Sequence, residues 1–111
     1  MKIENRDKFV ILTDDKGNLK EFASFITFQI ANKFKRQNVV IDLGAFDALE
    51  LDQLLLFLKV SNLHRKTKHS FVIVNNAIDP DDVPFEMVVV PTLQEAADII
   101  EMEEIERDLG S

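Results

Sequence analysis

The chain has 111 residues, 46% hydrophobic and 30% charged, with a net charge of −7. That balance describes a globular chain and disfavours DNA or general nucleic-acid binding, because phosphates would be repelled over most of the surface. The absence of cysteine removes disulfides, thiolate chemistry and cysteine-based metal sites, and the nine phenylalanines, with no Trp or Tyr, suit a core.

One domain spanning 1–111 is expected from this length. The opening "MKIENRDKFVIL" is charged, reads as the start of a fold and has no signal-peptide core. No apolar run approaches the ~20 residues of a membrane span. A cytoplasmic location fits these features. "KIEN" (2–5) and "KFVILTD" (8–14) form a predicted hairpin, and "DKGN" (15–18) a turn in which Gly17 takes positive φ. Leu19 to Arg36 is helical by spacing, with Leu19, Phe22, Ala23, Ile26, Ile30 and Phe34 on one face. Phe28 points away from that face. "NVVIDL" (38–43) and "SFVIVN" (70–75) are buried strands separated by a helix over 50–67. "AIDPDDVP" (77–84) is a loop or single turn, and "EMVVV" (86–90) a last strand. Thr92 and Glu95 have capping-box spacing for a final helix. The order is written β-β-α-β-α-β-α around a mixed, mostly parallel sheet of about five strands, since each crossover helix returns the chain to the same end of the sheet.

The helix over 50–67 carries more apolar surface than one core stripe needs. Leu51, Leu54, Leu55 and Leu58 make the stripe, and Leu56, Phe57, Val60 and Leu63 lie largely outside it. Either the helix is buried on two sides, or Phe57 and Val60 face a partner or a second copy in a homodimer. "HRKTKH" (64–69) gathers Arg65, Lys66 and Lys68 with two histidines. Cations there complement a helix C-terminus; the other reading is an RNA contact. The five-residue spacing of His64 and His69 suits no metal. "DPDD" (79–82) lacks the ligand pattern of a calcium loop and reads as a turn. In the last helix, Leu93, Ala96, Ala97 and Ile100 can pack on the sheet. Ile99, Met102, Ile105 and Leu109 form a second line within an acidic tail, suited either to packing or to a basic, grooved partner. Three glycines make no phosphate-cradling loop, no nucleophile–base set can be named, and neither cofactor nor enzymatic activity is expected.

The order of elements along the chain, the phrase Val39-Val40-Ile41-Asp42-Leu43 and the helix start Thr92-x-x-Glu95-Ala96 resemble the STAS domain, named for sulfate transporters and anti-sigma factor antagonists. The resemblance covers nearly the whole chain. It implies a small α/β regulatory domain that docks a protein partner, such as an anti-sigma factor or other regulator, through the link after the third strand and the helix that follows. The family's Asp-Ser-Ser-Gly helix start falls on Glu50-Leu51-Asp52-Gln53. Leu51 stands in the slot of the phosphorylated serine, so the usual phosphoserine switch is absent. Asp52 takes the second serine slot, as a fixed negative charge or simply a helix N-terminal carboxylate. The expected partner-binding residues are therefore Glu50, Leu51, Asp52, Gln53, Phe57 and Val60. The chain also resembles short proteins labelled ribonuclease Z, through which an accessory role in RNA processing is implied. Two histidines and no His-x-His-x-Asp-His cluster oppose the nuclease activity itself.

Overall fold

A computed structural model describes residues 1–110. Strands β1 (Lys2–Asn5), β2 (Phe9–Thr13), β3 (Asn38–Asp42), β4 (Phe71–Val74) and β5 (Val88–Val90) form one sheet in the order β1-β2-β3-β4-β5. Only the β1–β2 pair is antiparallel; β2 through β5 run parallel. Helix α1 (Leu19–Asn32) connects β2 to β3. Helix α2 (Leu51–Leu54), a 3-10 turn (Leu55–Phe57) and α3 (Leu58–Lys66) connect β3 to β4. A loop with one 3-10 turn, Pro80–Asp82, leads from β4 to β5 without a crossover helix. Helix α4 (Leu93–Gly110) closes the order.

Period-two alternation along the parallel strands explains the layers. Val10, Leu12, Val39, Ile41, Phe71 and Ile73 share one core with α1, α2 and α3. Ile11, Val40, Val72 and Val74 point the other way, against Ala96 and Ile100 of α4. Helix starts follow the sequence signals. Gly17 has φ +71 in the turn before α1, and the Asn18 side chain accepts the Glu21 N–H at 3.1 Å. At α4 the Thr92 hydroxyl accepts the Glu95 N–H at 3.1 Å.

The second helical segment differs from its expected form. The single helix over 50–67 is broken at Leu55–Phe57, and the buried stripe is Leu54, Phe57, Val60, Ser61 and His64. Phe57 is fully buried and its ring meets Phe22 edge-on, centroids 6.2 Å apart. Val60 is buried as well. Both residues therefore hold α3 to α1 and the sheet, and neither is available to a partner or to a homodimer face. The apolar residues left in solvent are Leu51, Leu55, Leu56 and Leu63.

Truncating the two kinds of position separates them. Phe57→Ala is expected to lower unfolding stability by about 3–5 kcal/mol, as for a buried aromatic. Leu55→Ala should cost less than ~1 kcal/mol. Urea denaturation checks both, and similar losses would place Leu55 in the core.

Candidate functional site

The link 43–50 leaves the C-terminal end of β3, where parallel α/β sheets present recognition loops. Its path is fixed by short-range hydrogen bonds. The Asp42 carboxylate accepts the Gly44 N–H at 2.9 Å, and a Cβ on Gly44 would stand 3.0 Å from the same oxygen. The turn thus favours glycine on close approach alone. Farther along, the Gln53 side-chain oxygen accepts the Glu50 N–H at 2.9 Å. The Asp52 carboxylate accepts the Gln53 N–H at 3.0 Å. The side chains of Gln53 and Asp52 therefore satisfy free amides at the start of α2, those of Glu50 and Gln53.

Asn75 anchors this link from beneath. The residue is buried just past β4. Its Nδ2 donates to the carbonyls of Leu43 (2.9 Å) and Phe46 (3.1 Å). Its Oδ1 accepts from the amides of Ala77 (2.8 Å) and Ile78 (3.0 Å). All four bonding positions of the side-chain amide are used, and they tie the 43–50 link to the loop after β4. Sequence reading assigns Asn75 only to a strand end, because the two carbonyls it holds in the 43–50 link lie some thirty residues away.

Between them the two loops present a rim. Leu51 is 42% exposed, and Glu50 and Asp52 are exposed beside it. Asp47 and, on the adjoining loop, Asp79, Asp81 and Asp82 are exposed too. Phe85 of the same loop is fully exposed. The expected residues thus divide: Glu50, Leu51, Asp52 and Gln53 stand together at one end of the sheet, while Phe57 and Val60 lie in the core.

The 64–69 cluster is less available than its composition implies. His64 is buried. Its Nε2–H donates to the Gln37 carbonyl at 2.6 Å, a direction set by the carbonyl, which only accepts. Arg65 reaches around the sheet edge to Glu103 at 3.0 Å. Glu103 also accepts the Ser70 hydroxyl at 2.6 Å. Among the described residues no group of three His, Cys, Asp or Glu could hold a metal ion. Within the same span, no helix is long and apolar enough to cross a membrane.

The assignment comes from structure rather than sequence. A solved serine-to-glutamate variant of RsbS from Moorella thermoacetica matches with a TM-score of 0.67, over 96% of this chain and 97% of its own, at 16% identity. RsbS has the STAS fold. The chain has the STAS fold. No family model matches the sequence, and no curated protein sequence matches it. In the STAS fold the 43–53 rim follows the third strand, as the resemblance implies, and it contains no serine or threonine.

Two measurements follow from this geometry. Asn75→Ala strands two carbonyls and two amides, so stability should fall on the order of 3 kcal/mol, and amide exchange should quicken in both 43–50 and 76–87. Faster exchange in one loop alone would refute the shared anchor. His64 is held below the ordinary histidine value near 6.5, first by burial, with the neighbouring His69 adding to it and the Gln37 carbonyl opposing it. The neutral ring is favoured in the fold, so its contribution is complete above that ordinary value. It is lost as the pH falls from there through the lowered folded value. Unfolding midpoints should therefore drop as the pH falls below about 6.5, and His64→Phe should lack that part of the drop. Equal slopes for the two proteins would exclude His64 as its source.

Proposed function

We propose that this chain is a non-enzymatic, cytoplasmic interaction module of the anti-sigma factor antagonist type, docking a protein partner through the 43–53 rim without a phosphoserine switch. The observation that carries the reading is the rim itself: a STAS fold whose signature link is anchored by Asn75, projects Leu51 and Asp52, and offers no hydroxyl to a kinase. The Gln53 side chain is occupied in starting α2, and the exposed Leu51 and Asp52 supply the contact. A rim of this kind is suited to being recognised and has no group placed to react.

The rim also indicates what its partner must carry. The two loops expose carboxylates at Asp47, Glu50, Asp52, Asp79, Asp81 and Asp82 together with the apolar Leu51 and Phe85. The complementary surface has cations around an apolar pocket, and an anti-sigma factor or another regulator would meet Leu51 there. An RNA-processing role through 64–69 has less support, since His64 is buried and Arg65 is held by Glu103.

A folded Leu51→Asp, Asp52→Lys double variant tests the rim. It should keep the wild-type circular dichroism and bind the partner at least about ten-fold more weakly, the loss expected of a central contact. The partner is first recovered by affinity capture on the wild type and identified, and its affinity is then titrated. Undiminished binding by the double variant would move the docking surface elsewhere.

A further inference from the structure

Charge is segregated in this molecule in a way that the docking rim does not use. From Phe22 to Ile41 and from Gln53 to Ile78 there is no aspartate or glutamate, so all twenty carboxylates lie elsewhere. These two segments contain α3 and all of α1 after its first turn, which holds Glu21; the two helices share one face of the sheet. Lys33, Lys35 and Arg36 are exposed where α1 ends, and Lys66 and Lys68 where α3 ends. The hydrogen bond from His64 to the Gln37 carbonyl joins the two exits. Lys68 sits at φ +64, a left-handed position that strains any side chain with a β-carbon and favours glycine or asparagine. Phe28 (65% exposed), Leu63 (52%) and Leu56 add apolar surface to the same layer.

Helix α4 presents the opposite pattern on the other face of the sheet. Ala96 and Ile100 turn inward. Met102, Ile105 and Leu109, at i, i+3 and i+7, point about 180° away from them by the helical period, and all three are more than half exposed. Glu101 and Glu106 flank this stripe in solvent. An apolar stripe diametrically opposite the buried side has no role in packing α4 on its own sheet.

We propose that copies of this chain associate head to tail, the Met102–Ile105–Leu109 stripe of one copy seating on the cationic α1–α3 layer of the next. The two surfaces match in kind: three apolar residues with flanking carboxylates on α4, against a layer that exposes Phe28, Leu56 and Leu63 and ends in lysines and Arg36. They lie on opposite faces of one sheet, so they cannot meet within a chain. A second copy fits better than a nucleic acid. Glu104 reaches Asn38 at 3.2 Å and Glu103 reaches Arg65 at 3.0 Å, which brings the acidic end of α4 to the border of the cationic edge. An extended polyanion would run into those carboxylates, whereas one helix laid across α1 and α3 would not. Because the two surfaces differ, the contact is heterologous and generates a ring or an open chain, not a two-fold dimer. Its ionic part weakens as salt is raised.

The test uses two folded variants of exposed residues, each destroying one surface: Lys35→Glu with Lys66→Glu on the cationic layer, and Ile105→Lys with Glu106→Lys on α4. Circular dichroism confirms that each keeps its fold, and light scattering gives the mass. The wild type should grow in mass with concentration and shrink back as salt is added. Each variant alone should remain at the monomer mass. Mixed in equal amounts, they should form a species of twice that mass and nothing larger, because each retains the surface the other lacks. A wild type that stays monomeric at every concentration, a variant that still dimerises alone, or a mixture that stays monomeric would each overturn the proposal. So would salt-sensitive binding of a single-stranded RNA oligonucleotide to the wild type without any change in protein mass.

Discussion

Three adjacent parallel strands buried on both faces are the constraint on which this molecule is built. Val39, Val40 and Ile41 of β3 are fully buried, and β2 and β4 on either side are nearly so. A strand apolar on both faces needs cover on both faces, and the short chain supplies it unequally. Two helical connections make one layer and the final helix alone makes the other. Parallel pairing then sets the ends apart. One end of the sheet collects the loops 43–50 and 76–87 after β3 and β4. The other collects the exits of α1 and α3 and the far half of α4.

Each end is tied by a buried amide. Asn75 joins the loops at the recognition end. At the other, Asn38 donates to the Lys8 carbonyl at 2.9 Å and to Glu104 at 3.2 Å, and its side-chain oxygen accepts the Ser70 N–H at 2.8 Å. Arg107 adds a contact to the same oxygen at 3.3 Å. These side chains sit where strand pairing stops, so the unpaired backbone groups there find polar partners inside the protein. The division of labour is plain: apolar strands set the layers, and two asparagines set how the loops and α4 meet them.

The strands were legible because continuous runs such as Val39-Val40-Ile41 have no other stable placement in a chain of this size. The starts of α1 and α4 were legible from Asn18 and Thr92, whose capping is local. Legibility failed in the segment 51–66. Five apolar residues in a row, Leu54 to Leu58, match every helical phase at once, so spacing alone could not say which faced inward. The phase follows instead from Ser61 and His64, polar residues that a hydrophobic pattern assigns to solvent and the fold buries. The 3-10 turn at Leu55–Phe57 shifts the register further. This is why Phe57 and Val60 read as surface, while Glu50 to Gln53, governed by near neighbours, were placed correctly at a helix start. Asn75 and Asn38 stayed invisible for another reason: the bonds by which they tie separate segments together, Asn75 to Leu43 and Phe46 and Asn38 to Lys8, Ser70 and Glu104, span about thirty residues or more, and no local rule names them.

The edges of the sheet have a consequence of their own. The outer strand, β1, is exposed at every residue and carries Lys2 and Glu4, with Arg6 bonded to Glu4 just beyond it. At the opposite edge β5 is three residues long and lies between Pro84 and Pro91. Charged side chains on one border and a short strand closed by prolines on the other are poor templates for a further strand. Backbone-to-backbone growth, the common route from a small sheet to fibrous aggregates, is thereby discouraged at both borders. Association of this protein is thereby directed to its helical surfaces, and whatever binds it must read side chains.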